Sequence, residues 1–322
     1  MGLLDFIMGT GGVFNIFWKC VQFYDRRKVK INEAREDEIK QSSFGEFYTL
    51  QAEPALLPDE WAAEHEAGTR LTFKIKEVEF AFCYCPAGAF TMGTPVGEKG
   101  RHDVEKQRKV TFRRGFWMLE TPVTQEQYKV VTQENPSDFS LTGRRLSRLN
   151  RVNGMDTSRF PVENVSWLEC ESYLEKLNIL KITPENFEFR LPTEAEWEYA
   201  CRAGTTGVYN VDCPLDRLGW YRGNSKKRTH KVCGKNSNAW GLYDMHGNVW
   251  EWCADWYAEY SDGDAIDPTG PNFGEIEEEE RVLRGGSWGT RADRCRSACR
   301  NKNDEELHRG SYGFRFVLSP RP

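Results

Sequence analysis

The chain has 322 residues, 39% of them hydrophobic and 13% aromatic, enough apolar material for one large core or two smaller ones. Its formal net charge of −5 singles out neither nucleic acid nor an anionic membrane as a partner. With 28 Gly and 14 Pro the sequence is punctuated often, as a loop-rich fold of short elements requires.

Residues 1–24 are mostly apolar, and Phe14, Phe17, Val21 and Tyr24 share one helical face. Asp5, Asn15 and Lys19 interrupt the stretch, and Gly9, Gly11 and Gly12 weaken its first half as a helix. The charged start and small-residue cleavage site of a secretory signal are missing, and Phe6 stands where the myristoylation pattern after Met1-Gly2 needs Ser or Thr. Three readings stay open: a helix that docks on a partner, one that lies on a membrane surface, and a marginal span. Arg26, Arg27, Lys28 and Lys30 suit a cytoplasmic membrane face. Residues 1–72 are read as a helical extension and connector, and 73–322 as the main domain. A cytoplasmic location follows, where most of the 10 cysteines are expected as buried free thiols rather than disulfides. Neither Cys83 with Cys85 nor Cys295 with Cys299 carries zinc-like Cys/His spacing.

Within the main domain Glu77–Cys85 alternates well enough for a strand. Thr124–Thr132 predicts a helix, with Thr124 as N-cap and Gln127 closing a capping box. Ser166–Leu177 predicts another, capped by Ser166 and Glu169, with Cys170, Tyr173, Leu174 and Leu177 at helical spacing. Thr193–Ala203 predicts a third, capped by Thr193 and Glu196 and stopped by Gly204. Glu194, Glu196 and Glu198 cannot all face one site on that helix, so their expected role is structural. The basic cluster Arg144, Arg145, Arg148 and Arg151 reads as a solvated loop, and Glu275–Glu280 as an exposed acidic one. Gly313–Leu318 fits a final strand.

Residues 240–256, WGLYDMHGNVWEWCADW, are too aromatic for an ordinary loop and too irregular for an amphipathic helix or alternating strand. The plain reading is a buried tryptophan cluster. Glu251 beside backbone carbonyls also suits a hard cation such as Ca²⁺.

Several motifs fall into one order: Phe90-Thr-Met-Gly93, Pro122–Tyr128, Pro161–Trp167, Arg190–Tyr199, Gly241–Trp252, Arg284-Gly-Gly-Ser-Trp288 and Gly313-Phe-Arg315. In this order, over residues 78–320, the chain resembles the formylglycine-generating-enzyme (sulfatase-modifying factor) family. The resemblance implies an α+β fold of irregular C-type-lectin-like type. It also implies a Ca²⁺ held by Gly247, Asn248, Val249 and Glu251. A second family calcium loop matches Tyr221–Asn224, but Lys226, Lys227, Arg228 and Lys231 replace the acidic segment expected after it.

The same resemblance implies a Cu(I) site formed by two thiolates, which supports O₂-dependent oxidation of a substrate cysteine. Counting from Gly285, the second family cysteine falls on Cys295 and the first on Thr290. A threonine hydroxyl is hard and neutral, and soft thiolates select Cu(I), so the pair is broken unless Cys299 substitutes. Iron held by histidines is a weaker alternative, since His65, His102, His230, His246 and His308 include no helical i, i+4 pair. No phosphate loop or nucleophile elbow is present.

The domain is also similar to the variable proteins of diversity-generating retroelements, which bind ligands through a window between a Gly-Gly-Ser-Trp-like and a Gly-Phe-Arg-like motif. With Trp288 at its edge, that window holds Thr290, Arg291, Asp293, Arg294, Asn301, Lys302, Asn303, Asp304, His308, Arg309, Ser311 and Tyr312. These are adaptable polar and aromatic groups of the kind that make recognition surfaces. The expectation is a non-catalytic module that binds a protein or other macromolecule there. An ordinary polar edge and a copper-dependent oxidase are the alternatives.

Overall fold

A computed structural model describes residues 59–143, 145–272 and 279–320. All belong to one compact unit, Leu56–Pro322. The expected N-terminal helix, Arg144 and most of the acidic run lie outside the described residues.

The elements in chain order are β1 (Arg70–Ile75), β2 (Val78–Cys85), β3 (Gly88–Met92), β4 (Arg108–Phe112), β5 (Phe116–Leu119), α1 (Gln125–Thr132), α2 (Leu146–Leu149), α3 (Trp167–Ile179), β6 (Phe187–Arg190) and α4 (Glu194–Arg202). After a long irregular stretch come β7 (Trp250–Trp256), β8 (Ala265–Ile266), β9 (Glu280–Arg284), β10 (Arg300–Asp304), β11 (Tyr312–Gly313) and β12 (Val317–Pro320). Strands dominate, helices are few, and the strands form three small sheets ordered β1-β2-β5-β12-β6, β10-β9-β7-β11 and β3-β4-β8.

The five-stranded sheet is antiparallel throughout. Its core is aromatic: Phe73, Phe80, Phe82, Phe189 and Phe316 meet with ring centroids 5.0–6.1 Å apart. Trp61 is buried against Phe82 and Trp117, and its carbonyl accepts the Trp117 indole N–H at 2.8 Å. The expected boundary at 72/73 therefore falls inside β1, and the main unit includes at least residue 61.

The three capped helices form where their boxes predict. In α1, α3 and α4 the side chains of Thr124, Ser166 and Thr193 accept from the backbone three residues on, and Gln127, Glu169 and Glu196 return the bond. Each box satisfies two orphan donors of the first turn. Helix α4 ends with Ala203 and Gly204 both at positive φ, 46° and 86°.

Four expectations are corrected. Trp250–Trp256 is a strand; every residue but Ala254 is buried, so polar alternation could not mark it. Gly313–Leu318 is two short strands in different sheets, β11 pairing with β7 and β12 with β5 and β6. Glu280 opens β9 and its carboxylate meets Lys302 at 2.8 Å, so it is not loop. The basic cluster contains the helical turn α2, and Arg148 is half-buried rather than solvated.

Candidate functional site

Helix α4 is buried along its length and carries three carboxylates into the interior. Glu198 accepts from Arg202 at 2.8 Å and from Arg284, while Glu194 holds Arg300 through both its oxygens at 2.6 and 2.8 Å. Glu196 faces another way, onto Arg190. Burial opposes the Glu198 charge, but Arg202 and Arg284 overcome it and hold the carboxyl below its ordinary range. Arg284 also donates to the Cys299 carbonyl at 2.7 Å. This ionic core fixes the end of β9, from which the Gly285-Gly-Ser-Trp288 turn springs.

The turn is tight around one sulfur. Gly286 sits at φ 79°, and a Cβ there would run into Cys295. The Ser287 amide donates to the Thr290 hydroxyl at 2.8 Å, and that hydroxyl donates on to the Ser287 carbonyl at 2.9 Å. Thr290 Oγ1 lies 3.5 Å from Cys295 Sγ. The residue pair reached by counting along the motif thus meets in space. Cys295 is fully buried, and burial pushes its thiol up to about 12. Cys299 is buried as well, raised by the same cause, and its thiol donates to the Arg300 carbonyl at 3.8 Å. One thiol with a hard, neutral hydroxyl in place of a second sulfur is a poor ligand set for Cu(I), which takes soft thiolates.

His246 supports the turn from beneath. Its Nδ1 donates to the Cys295 carbonyl at 2.8 Å and its Nε2 accepts from the Asn210 amide at 3.1 Å. Burial lowers its pKa to about 4, so it is a neutral structural imidazole with a fixed tautomer.

Two of the four expected calcium ligands, Glu251 and Asn248, have protein partners for their side chains. Glu251 accepts from Arg315 at 2.6 and 2.8 Å and from the Trp197 indole at 2.7 Å. Asn248 takes the His230 amide on its oxygen and gives its nitrogen to the His230 carbonyl and Asp244. The Gly247 carbonyl accepts from the Val249 amide, and the Val249 side chain packs against Gly313. The segment is a polar clasp between loops and does not fit a cage of oxygens. Among the described residues no group of three or more His, Cys, Asp or Glu is arranged to hold a metal. In the other loop Asn224 bonds to Tyr221, Asp216 and Gly219.

The predicted recognition window divides in two. Arg291, Asp293 and Arg294 lie on a short turn above Cys295, with Arg291 and Asp293 paired at 3.1 Å. Asn301 and Asn303 are on β10, and Asn303 donates to the Tyr312 hydroxyl at 2.6 Å. Tyr312 is buried under Arg309, Ser311 is half-buried, and exposed His308 meets Glu169 at 3.0 Å. Trp288 bridges the halves: its indole N–H donates to the Gly310 carbonyl at 2.8 Å and its own amide donates to Asn248.

Sequence reasoning missed what surrounds Trp288. Phe139 packs edge-on to it at 5.2 Å, and the Arg148 guanidinium lies over both rings while pairing with Asp138 at 2.8 Å. Buried beside them, Glu163 accepts from the Phe139 amide, and burial pushes its pKa up to about 8. The only signal in the sequence was the basic run at 144–151, which by itself looks like solvent-facing charge.

Residues 74–320 match the FGE-sulfatase family, described as the sulfatase-modifying factor enzyme 1-like domain. The chain is 32% identical over 247 residues to the serine/threonine-protein kinase pkn1 of Chlamydia caviae, covering 72% of this chain and 37% of that protein. It is 35% identical over 175 residues to the formylglycine-generating enzyme of Streptomyces coelicolor, covering 48% of this chain and 51% of that protein. In each case it spans about half or less of the relative's length. Among solved structures, Treponema denticola variable protein 1 superposes with a TM-score of 0.67 at 29% identity, covering 79% of this chain and 99% of that one. PvdO from Pseudomonas aeruginosa does so with a TM-score of 0.63 at 28% identity, covering 79% and 99%. These neighbours share the expected C-type-lectin-like architecture, and the chain belongs to the FGE-sulfatase family of sulfatase-modifying factor enzyme 1-like domains.

Proposed function

We propose that this domain is a non-catalytic binding module of its family, which recognises a protein or other macromolecule through the surface around Trp288 and Gly289–Tyr312. The observation that carries the reading is the Thr290 hydroxyl 3.5 Å from the Cys295 sulfur, where the family resemblance expects a second thiolate. A threonine hydroxyl is a hard, neutral donor, so one of the two soft ligands of a copper site is missing beside Cys295. Likeness to Treponema denticola variable protein 1 is consistent with a scaffold of the variable-protein kind; the choice of the Gly289–Tyr312 window rests on the motif resemblance. Likeness to the formylglycine-generating enzymes supports the oxidase alternative, with Cys295 and Cys299 as its thiols.

The test is incubation of the protein with Cu(I), O₂ and cysteine-containing peptides, read by mass spectrometry for formylglycine. The expected result is no conversion and no tight Cu(I) binding. The Thr290→Cys variant should gain Cu(I) affinity by at least ~100-fold, because it restores a soft two-thiolate set at this position. Conversion by the parent that disappears in Cys295→Ser would overturn the reading.

A further inference from the structure

Two basic segments far apart in sequence converge on Trp288. From one side comes α2, whose Arg148 lies over the Trp288 and Phe139 rings. From the other comes the 222–231 loop: the Arg222 amide donates to the Thr290 carbonyl at 2.9 Å and the Ser225 hydroxyl to the Trp288 carbonyl at 2.7 Å. The two sides touch through Phe160, which packs in the cluster of Phe139, Val152 and Trp288 and carries the Arg228 guanidinium 5.7 Å from its ring centre.

The charge on this face is largely unanswered. Arg151, Arg222, Lys226, Lys227 and Lys231 are exposed, and among the described residues no carboxylate forms an ion pair with any of them. Most of the nearby acids have other partners. Asp138 is buried beneath Arg145 and Arg148, Glu126 faces Arg159 at 3.8 Å, Asp293 pairs with Arg291, and Asp216 bonds to Tyr221 and Asn224. Asp156 is exposed, and its carboxyl is lowered first by the Ser158 amide and hydroxyl and only last by Lys231. Glu163 is buried and raised to about 8, so it adds little negative charge at neutral pH. His230, inside the loop, is lowered to about 4 by burial and then by Arg228, Lys235 and Lys226.

The loop backbone is also held in an uncommon shape. Lys226 and Lys227 are consecutive and both left-handed, at φ 54° and 58°. Lysine has no local hydrogen bond to favour that region, as Asn or Asp does, so it costs free energy at each position. The result is two adjacent exposed lysines directly after Ser225, whose hydroxyl bonds to the carbonyl of the half-buried Trp288. The net charge of the whole chain is −5, so this face inverts the sign of the molecule.

We propose that the partner of the Trp288 face is an acidic polypeptide segment, held by Arg222, Lys226, Lys227 and Lys231 and anchored on Trp288. The proposal rests on the reading of this face as a recognition surface. Charge complementarity selects the partner's sign and speeds encounter. A Debye length of about 10 Å at 0.1 M salt lets a short acidic segment feel the patch alone. A long nucleic acid would extend onto the acidic remainder of the molecule, which favours the peptide.

The experiment is fluorescence anisotropy on the full chain with three labelled probes: decaglutamate, decalysine and oligothymidylate. Decaglutamate should bind, decalysine should not, and oligothymidylate should bind more weakly than decaglutamate. Raising the salt from about 0.05 to 0.5 M should weaken decaglutamate at least ~10-fold. The Lys226→Glu/Lys227→Glu variant should do the same, with unchanged circular dichroism; Arg222→Glu serves if that pair misfolds. No binding of decaglutamate at low salt, equal binding by a folded charge-reversed variant, or tighter binding of oligothymidylate would each overturn the proposal. Formylglycine production by the parent would instead sink the non-catalytic reading and leave the peptide result standing.

Discussion

Glu163 is a carboxyl with one oxygen on the Phe139 amide at 2.7 Å and the other buried without a hydrogen-bond partner among the described residues. Burial raises its pKa from 4.5 to about 8, so within that window the folded state keeps a proton that the unfolded chain releases. Its contribution therefore falls as pH rises from 4.5 towards 8. Asp255, raised from 3.8 to about 7 by burial and Glu194, slopes the same way. His230 and His246 slope oppositely, losing stability as pH falls from 6.5 towards 4. Glu163→Gln should flatten the decline, so urea midpoints at about pH 5 and pH 8 should lie closer together than in the parent. An unchanged gap would assign the titration to another group. Thr290 was legible because a motif supplies a counting frame. Glu163 was not, because its surroundings are assembled from segments that only the fold brings together.

At the scale of elements, α1, α3 and α4 could be read because a capping box is a local device: donor and acceptor lie three residues apart and no tertiary contact is needed. Strand β7 could not, because its partners β9 and β11 lie well downstream in the chain. The sequence marked Glu194, Glu196 and Glu198 as structural but gave no hint of their arginine partners. Those partners set the cost of a change. Glu198→Ala would leave Arg202 and Arg284 buried with the shared carboxylate gone, and should destabilise the domain by about 3–5 kcal/mol. A chemical denaturation curve shifted by less than about 1 kcal/mol would mean that the two arginines find other partners.

At the scale of the molecule, the calcium expectation meets a clasp already closed by the protein's own groups. Arg315 occupies Glu251, and the His230 backbone occupies Asn248. We expect a chelator to move the melting temperature by less than about 1 °C, because the side chains that would hold the ion already have partners. Elemental analysis should find no stoichiometric calcium; a bound ion together with a large chelator effect would overturn that. Strand β12 lies between β5 and β6 and receives hydrogen bonds from both sides. Until Val317–Pro320 arrives, the edges of β5 and β6 facing it have no neighbour, although the strands themselves are made much earlier. During synthesis on the ribosome, the largest sheet therefore stays open until nearly the last of the described residues has emerged. A nascent chain stalled short of Val317 would carry two unpaired strand edges, the one on β5 strongly apolar, and would be the form most in need of a chaperone.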